Sequence, residues 1–178
     1  MKRFEIRIAG FGGQGVVTVG KIAGVAAAIY DKRNAVQTQS YGPESRGGAC
    51  KAEIVLSDEK IHYPKVRQAD VLVALSQPAQ DAYIKDLKPG GLLIVDPLTV
   101  IKDPPRTDIR IVKVPTAEIA LAVGNKRYQN MVALGALCQL TGAITKDALA
   151  KAIGDSVPPK TLAQNLQAFE KGMEHARK

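Results

Sequence analysis

The chain has 178 residues, which suffice for one well-packed domain, and nothing in its composition indicates a second domain. Hydrophobic residues make up 46% of the chain and aromatic residues only 4%, so Val, Ile, Leu and Ala must build the core, which favours an α/β fold with a buried, mostly parallel sheet. The net charge of +8 permits acidic partners, but the basic residues are dispersed and few aromatic rings can stack on bases, so we expect no nucleic-acid partner.

The first predicted strand covers residues 4–9 and follows Met1 almost directly. The long apolar segment of a signal peptide is missing, and no run of residues approaches the ~20 that span a bilayer, so we expect a cytoplasmic protein without membrane contact. The sequence GFGGQG at 10–15 then leads into a helix that runs to about residue 30. This helix is apolar nearly all round, which predicts that it is buried against the sheet and a neighbouring chain.

The middle of the chain alternates between strand and turn patterns. NAVQTQ at 34–39 predicts a second strand, and ACKAEIVLSDEKIHYP at 49–64 alternates around Ser57 and Asp58 as a β-hairpin does. DVLVALS at 70–76 and GLLIVDP at 91–97 are continuous apolar runs, typical of central parallel strands. A helix that Ser76 can cap separates them, so this part is predicted to be a βαβ unit.

The last part of the chain adds one strand, IRIVKVP at 109–115, and then four predicted helices at about 116–123, 129–141, 145–153 and 160–177. The apolar stripe of the last helix predicts that it docks on its own domain. Together the elements predict one Rossmann-like domain over residues 1–178, with helices on both faces of a mostly parallel sheet that includes a β-hairpin, and a helical C-terminal part.

Gly10, Gly12 and Gly15 match the pattern GxGxxG between a strand and a helix, where free backbone N–H groups suit a phosphate. Gln14 adds a side-chain amide that no structural requirement explains, which favours an anionic ligand or a partner's backbone. The alternative is that the glycines only allow a tight turn and close packing of helix on strand. NAD or FAD binding is a weaker alternative, because the second strand ends in polar, uncharged residues where such folds carry an acid for the ribose.

The loop TQSYGPESRGGAC at 38–50 gathers an acid, a base and an aromatic hydroxyl among glycines and a proline. Arg46 can bind a phosphate or carboxylate through its planar fork, and Glu44 can pair with it or with a partner's base. The alternative is that Glu44 and Arg46 only pair with each other on an exposed loop, a contact worth ~0 to 1 kcal/mol.

Two cysteines, Cys50 and Cys138, lie far apart in the sequence and cannot supply the four thiolates of an iron–sulfur cluster or a zinc site. We therefore expect any metal chemistry to belong to a partner, and we assign no metal ligand and no catalytic residue to this chain. Cys50, near the loop, is interpreted as an ordinary buried thiol.

The glycine loop AGFGGQGVV, taken with SYGPESRGGACKAEIVLS and PKVRQADVLVALS, resembles the gamma subunit of 2-oxoacid:ferredoxin oxidoreductases, most closely the 2-oxoglutarate-type enzymes. The segment NMVALGAL at 130–137 is also similar to that family. The resemblance implies one subunit of an enzyme that oxidatively decarboxylates a 2-oxoacid to an acyl-CoA and reduces ferredoxin. It implies alpha and beta partner subunits and a ferredoxin-like delta subunit.

The resemblance also implies that thiamine diphosphate, Mg²⁺ and the iron–sulfur clusters lie in partner subunits, and that this chain contributes to coenzyme A binding and assembly. A stand-alone CoA- or nucleotide-binding module without catalysis is the alternative. The residues that the resemblance assigns to the ligand are Gly10, Gly12, Gly13, Gln14, Gly15, Ser40, Tyr41, Gly42, Glu44, Arg46 and Gly47.

Overall fold

The structure is a computed structural model and describes residues 3–42 and 48–177. Within these ranges one sheet contains six strands: β1 (Phe4–Phe11), β2 (Asn34–Tyr41), β3 (Ala49–Ser57), β4 (Ala69–Ala74), β5 (Leu87–Val95) and β6 (Arg110–Lys113). Their order across the sheet is β2-β3-β1-β4-β5-β6. The pairs β1–β4, β4–β5 and β5–β6 are parallel, whereas β3 runs antiparallel to both β1 and β2. The predicted mostly parallel sheet is therefore confirmed.

The hairpin predicted around Ser57 and Asp58 is wrong. Strand β3 ends at Ser57, and residues 58–68, all of them described, form no strand. Both edges of β3 are already occupied by β1 and β2, so no ladder position is left for a further arm. The carbonyls of Tyr63 and Lys65 instead accept hydrogen bonds from the Arg3 guanidinium, at 2.9 and 3.0 Å. The hairpin of this sheet is formed instead by β2 and β3, which pair antiparallel.

Helices cover both faces of the sheet, as predicted. They are α1 (Val16–Val25), which continues as a π-helical turn over Ala26–Tyr30, α2 (Gln77–Tyr83), α3 (Thr116–Val123), α4 (Gln129–Thr141), α5 (Lys146–Ser156) and α6 (Leu162–His175). Helix α2 lies on one face and the other helices on the opposite face. Successive residues of β4 point to the two cores: Val71 joins the core under α1 and α4, and Leu72 joins the core under α2.

Two predicted local features of the helices are present. The Ser76 hydroxyl accepts a hydrogen bond from the Ala79 N–H and caps α2, and α6 docks on its own domain. Helices α4 and α6 can approach closely because both carry a glycine at the contact. A Cβ built at Gly135 would lie 1.9 Å from the Phe169 carbonyl oxygen, and one built at Gly172 would lie 2.0 Å from the Val132 carbonyl oxygen. Across the described residues, no helix has the length and apolar character to cross a membrane.

The two edges of the sheet differ in character. Strand β6 has four residues and carries Arg110 and Lys113, whereas β2 has eight residues and no charged side chain. Beside β2, an open depression of about 350 Å³ is lined mainly by apolar residues of α1, its π-helical turn and β2, including Ala35 and Ile29, which is 56% exposed. The helix is thus buried against the sheet on one side, and its contact with a neighbouring chain stays a prediction.

Candidate functional site

The order of the strands creates a switch point between β1 and β4. From β1 the chain passes through α1 to β2 on one side of the sheet, and from β4 it passes through α2 to β5 on the other side. Helices α1 and α2 lie on opposite faces, so a crevice opens beyond the carboxyl ends of β1 and β4. Ligands of open α/β sheets bind at such a crevice. The glycine loop at residues 10–15 begins with the last two residues of β1 and lies at this edge.

The glycine loop leaves a group of backbone N–H donors unused. The N–H of Gly12 donates to the Gly48 carbonyl at 2.8 Å, and the N–H of Gln14 donates to the Phe11 carbonyl at 3.2 Å. Among the described residues, the N–H groups of Gly13, Gly15 and the first three residues of α1 have no acceptor, whereas the Val19 N–H donates to the Gly15 carbonyl at 3.0 Å. Helix α1 also lacks a side-chain cap and an acidic residue in its first turn. An anion at this position would meet several free donors and the positive end of the helix.

Gly15 and Gly13 are required for different reasons. Gly15 adopts φ +74°, and a Cβ there would lie 2.2 Å from the Asn130 Nδ2 atom, so a larger residue is excluded by backbone conformation and by space. Gly13 adopts φ +92°, but no described atom lies within 4 Å of a Cβ built there. The described part of the chain therefore leaves open the space that Gly13 faces.

Gln14 has a structural role, which contradicts the expectation that no structural requirement explains its amide; its assignment to the ligand site stays a prediction. Its amide oxygen accepts a hydrogen bond from the Phe11 N–H at 2.6 Å, and its amide nitrogen donates to the Leu75 carbonyl at 2.9 Å. The amide is thus engaged with the chain itself, where the sequence analysis expected it to be available for a ligand. Its partner Leu75 lies 61 positions away, which no local pattern reveals.

The second loop meets the glycine loop at its base. Ser40 and Tyr41 end β2 and are exposed, Tyr41 at 66%, and the Gly42 N–H donates to the Ala49 carbonyl at 2.6 Å. The Gly12–Gly48 hydrogen bond joins the two loops, so the structure brings together Ser40, Tyr41 and Gly42 with the glycine loop at one edge. Glu44, Arg46 and Gly47 lie outside the described residues.

The position of β3 weakens the comparison with dinucleotide-binding folds. Strand β2 runs in the same direction as β1, but β3 separates the two, so the end of β2 lies two strands away from the glycine loop. In a dinucleotide-binding unit the ribose-binding acid follows a strand directly beside the first. The missing acidic residue at the end of β2 and this displacement both count against NAD or FAD.

Asn130 is a member of the site that the sequence analysis did not identify. It is buried at the start of α4, 115 positions from Gly15, and its Nδ2 atom lies 3.5 Å from the Gly15 carbonyl oxygen. The nearest sequence signal is a pair of polar residues, Gln129 and Asn130, directly before an apolar helix. Burial of both indicates that the amino end of α4 is packed against the glycine loop.

A narrow cleft of about 50 Å³ lies beside the loops, lined by residues that include Phe11, Cys50 and Tyr83. Burial raises the pKa of the Cys50 thiol, so the thiol stays protonated and unreactive near neutral pH. This supports the interpretation of Cys50 as an ordinary buried thiol. Within residues 3–42 and 48–177, no group of three or more His, Cys, Asp or Glu side chains could hold a metal ion.

Known proteins match the chain along nearly its whole length. Residues 5–175 match the family model described as pyruvate ferredoxin/flavodoxin oxidoreductase. A 2-oxoglutarate synthase subunit KorC of Methanocaldococcus jannaschii is 51% identical over 177 residues, covering 98% of this chain and 95% of the relative.

Two solved structures share the fold. The gamma subunit of a keto/oxoacid ferredoxin oxidoreductase from Geobacter sulfurreducens superposes with a TM-score of 0.88 at 44% identity, covering 98% of each chain. A 2-oxoglutarate:ferredoxin oxidoreductase from Magnetococcus marinus, solved with 2-oxoglutarate, coenzyme A and succinyl-CoA bound, gives a TM-score of 0.91 at 27% identity, covering 99% of this chain and 31% of the other. The predicted resemblance is confirmed: the chain belongs to the pyruvate ferredoxin/flavodoxin oxidoreductase family.

Proposed function

We propose that the chain is the gamma subunit of a 2-oxoglutarate:ferredoxin oxidoreductase and that its glycine loop binds phosphate groups of coenzyme A. The observation that carries the first part is the 51% identity to a 2-oxoglutarate synthase subunit over nearly the full length of both chains. The second part is supported by the unused N–H donors of the loop and by a structural neighbour that was solved with coenzyme A bound.

The redox cofactors of the complex belong to other subunits in this proposal. The sequence contains two cysteines, and a cluster needs about four thiolate ligands, so the iron–sulfur clusters lie elsewhere. Thiamine diphosphate and Mg²⁺ are assigned to the alpha and beta partners, and a ferredoxin-like delta subunit passes electrons to ferredoxin. The isolated chain is expected to be inactive.

The two loops have complementary parts in coenzyme A binding. The N–H groups of Gly13 and Gly15 and the first turn of α1 hold a phosphate, as helix amino ends do. We assign Arg46 to a second phosphate because its planar fork suits one, and we assign Glu44 as a residue that can pair with Arg46 or with a partner's base. Tyr41, two-thirds exposed at the end of β2, offers a ring for an apolar or aromatic part of the ligand.

Replacement of Gly13 by alanine tests the phosphate site in the assembled complex. The added methyl group meets no described atom of the chain, so it reaches the space where the ligand phosphate would lie. We expect a higher KM for coenzyme A, by about tenfold if one charge-assisted hydrogen bond is lost. Arg46→Ala should likewise weaken the use of coenzyme A or the assembly of the complex.

Gly90→Ala provides the matched control. Gly90 also has a positive φ, +75°, and open space around a Cβ, but it lies near the amino end of β5, at the opposite edge of the sheet. Both alanine variants share the same kind of backbone strain, so only Gly13→Ala should change the KM. Equal KM values for the two variants would refute the phosphate site. A chain that binds coenzyme A but purifies anoxically without partner subunits would support a stand-alone binding module.

A further inference from the structure

We propose that Gln14 is a positioning residue whose side-chain amide holds β1 and β4 apart and thereby fixes the glycine loop in its ligand-binding shape. The inference rests on the proposed function, because its readout is coenzyme A binding. In this role the Gln14 side chain contacts other residues of the chain and does not contact the ligand.

The hydrogen bonds show where the parallel ladder is interrupted. The last main-chain bond between the strands runs from the Leu75 N–H to the Ala9 carbonyl, at 2.9 Å. In a regular parallel pair, the Leu75 carbonyl would then accept from the N–H of Phe11. Here that N–H donates to the Gln14 amide oxygen at 2.6 Å, and the Gln14 amide nitrogen donates to the Leu75 carbonyl at 2.9 Å. The side-chain amide therefore takes the place of a peptide unit between the two strands.

This insertion defines the shape of the loop. The strands separate by the width of one amide at the switch point, and the Gln14 N–H closes a tight turn on the Phe11 carbonyl at 3.2 Å. Gly12 is held to Gly48 from the other side at 2.8 Å. With these bonds made, α1 begins two residues after Gln14, and its free N–H groups are fixed relative to β1 and β4. A preformed set of donors binds an anion without first ordering the loop.

The position between Phe11 and Leu75 needs a side chain that both accepts and donates a hydrogen bond. A variant that can donate only when it is protonated should therefore bind coenzyme A in a pH-dependent way. In Gln14→Glu, the neutral carboxylic acid can accept from Phe11 and donate its O–H to Leu75. The ionised carboxylate can only accept, so it faces the Leu75 carbonyl oxygen without a proton and adds a negative charge near the phosphate site. The variant should therefore bind coenzyme A worse as the pH rises through the pKa of the new carboxyl group.

The test uses the assembled complex, with the KM for coenzyme A and kcat measured between about pH 4 and pH 8, which includes the ordinary pKa of a glutamic acid carboxyl group, ~4.3. For Gln14→Glu we expect a KM roughly tenfold or more above that of the wild type at the upper end, with little change in kcat, and recovery toward the lower end. Gln14→Met has similar length and neither hydrogen-bonding group, so its KM should be raised at every pH. Gln167→Glu, on the exposed face of α6, is the matched control for the charge.

Hydrogen exchange of the same complexes gives a readout besides catalysis. The Phe11 amide should exchange faster in Gln14→Met than in the wild type, because its acceptor is removed. Wild-type KM values for both Gln14 variants, or protection of the Phe11 amide equal to that of the wild type in Gln14→Met, would overturn the inference. A wild-type complex whose rate is independent of coenzyme A would instead remove the proposed function on which the inference rests.

Discussion

Gly135→Ala should destabilise the protein strongly, because α4 and α6 touch at this residue. A Cβ at Gly135 would lie 1.9 Å from the Phe169 carbonyl oxygen, whereas a carbon and an oxygen in contact are about 3.3 Å apart, a shortfall of about 1.4 Å. The obstructing atom belongs to the backbone of α6, so it cannot rotate away, and the helices must separate. Overpacking of a core costs ~1–3 kcal/mol, and the backbone contact places this variant near ~3 kcal/mol.

The assay is thermal unfolding of the complete chain, followed by circular dichroism. For a protein of this size, a loss of ~3 kcal/mol lowers the Tm by roughly 6–12 °C. Gly154→Ala is the matched control: Gly154 lies in α5 with no atom of the described residues within 4 Å of a Cβ, so alanine should stabilise the helix by up to ~1 kcal/mol. Equal Tm values for the two variants would refute the idea that the glycine contact sets the distance between α4 and α6.

Two further predictions concern buried polar groups. Asp96, 1% exposed at the end of β5, accepts hydrogen bonds from the Leu98 N–H, the Thr116 hydroxyl and the Ala117 N–H. Asp96→Ala should therefore lower the free energy of unfolding, measured in urea, by ~3 kcal/mol or more. A decrease below ~1 kcal/mol would contradict this role. Burial, aided by the charge of Asp31, raises the pKa of the Cys138 thiol from its ordinary value of 9.0 to about 11. The thiol's contribution to stability is therefore complete below about pH 9 and is lost as the pH rises toward about 11. The difference in unfolding free energy between the wild type and Cys138→Ala should shrink over that pH range. A constant difference would contradict the raised pKa.

The periodicity of apolar residues predicted most of the helices and strands, because each of these elements buries one apolar face and the spacing of its apolar residues shows that face. The helix predicted at 129–141 is α4 (Gln129–Thr141), and the strand predicted at 4–9 lies within β1 (Phe4–Phe11). The hairpin around Ser57 failed for a different reason. Alternation shows that a segment can be a strand, but it does not show which neighbour is already paired with it, and β3 has both neighbours before residue 58 is reached.

The candidate site was predictable only in part, for the same physical reason. The glycine pattern marks a loop between a strand and a helix, and the structure places Gly12, Gly13 and Gly15 there, whereas Gly10 is still part of β1. The partners that define the loop's shape are distant in sequence: Leu75 lies 61 positions from Gln14, and Asn130 lies 115 positions from Gly15. Such contacts arise from topology, so no local pattern shows that the Gln14 amide is bound to the chain.

The unprotected edge of β2 bears on how the chain behaves before it meets its partners. Among the described residues no strand pairs with the outer side of β2, so eight residues of regular strand without a charge or a proline present their outer N–H and C=O groups to another extended chain. Edge strands of this kind promote aggregation, and soluble proteins usually blunt them with lysine or with a bulge. A surplus of this chain over its partners would therefore favour aggregation during synthesis, so balanced production of all subunits protects the yield of soluble protein.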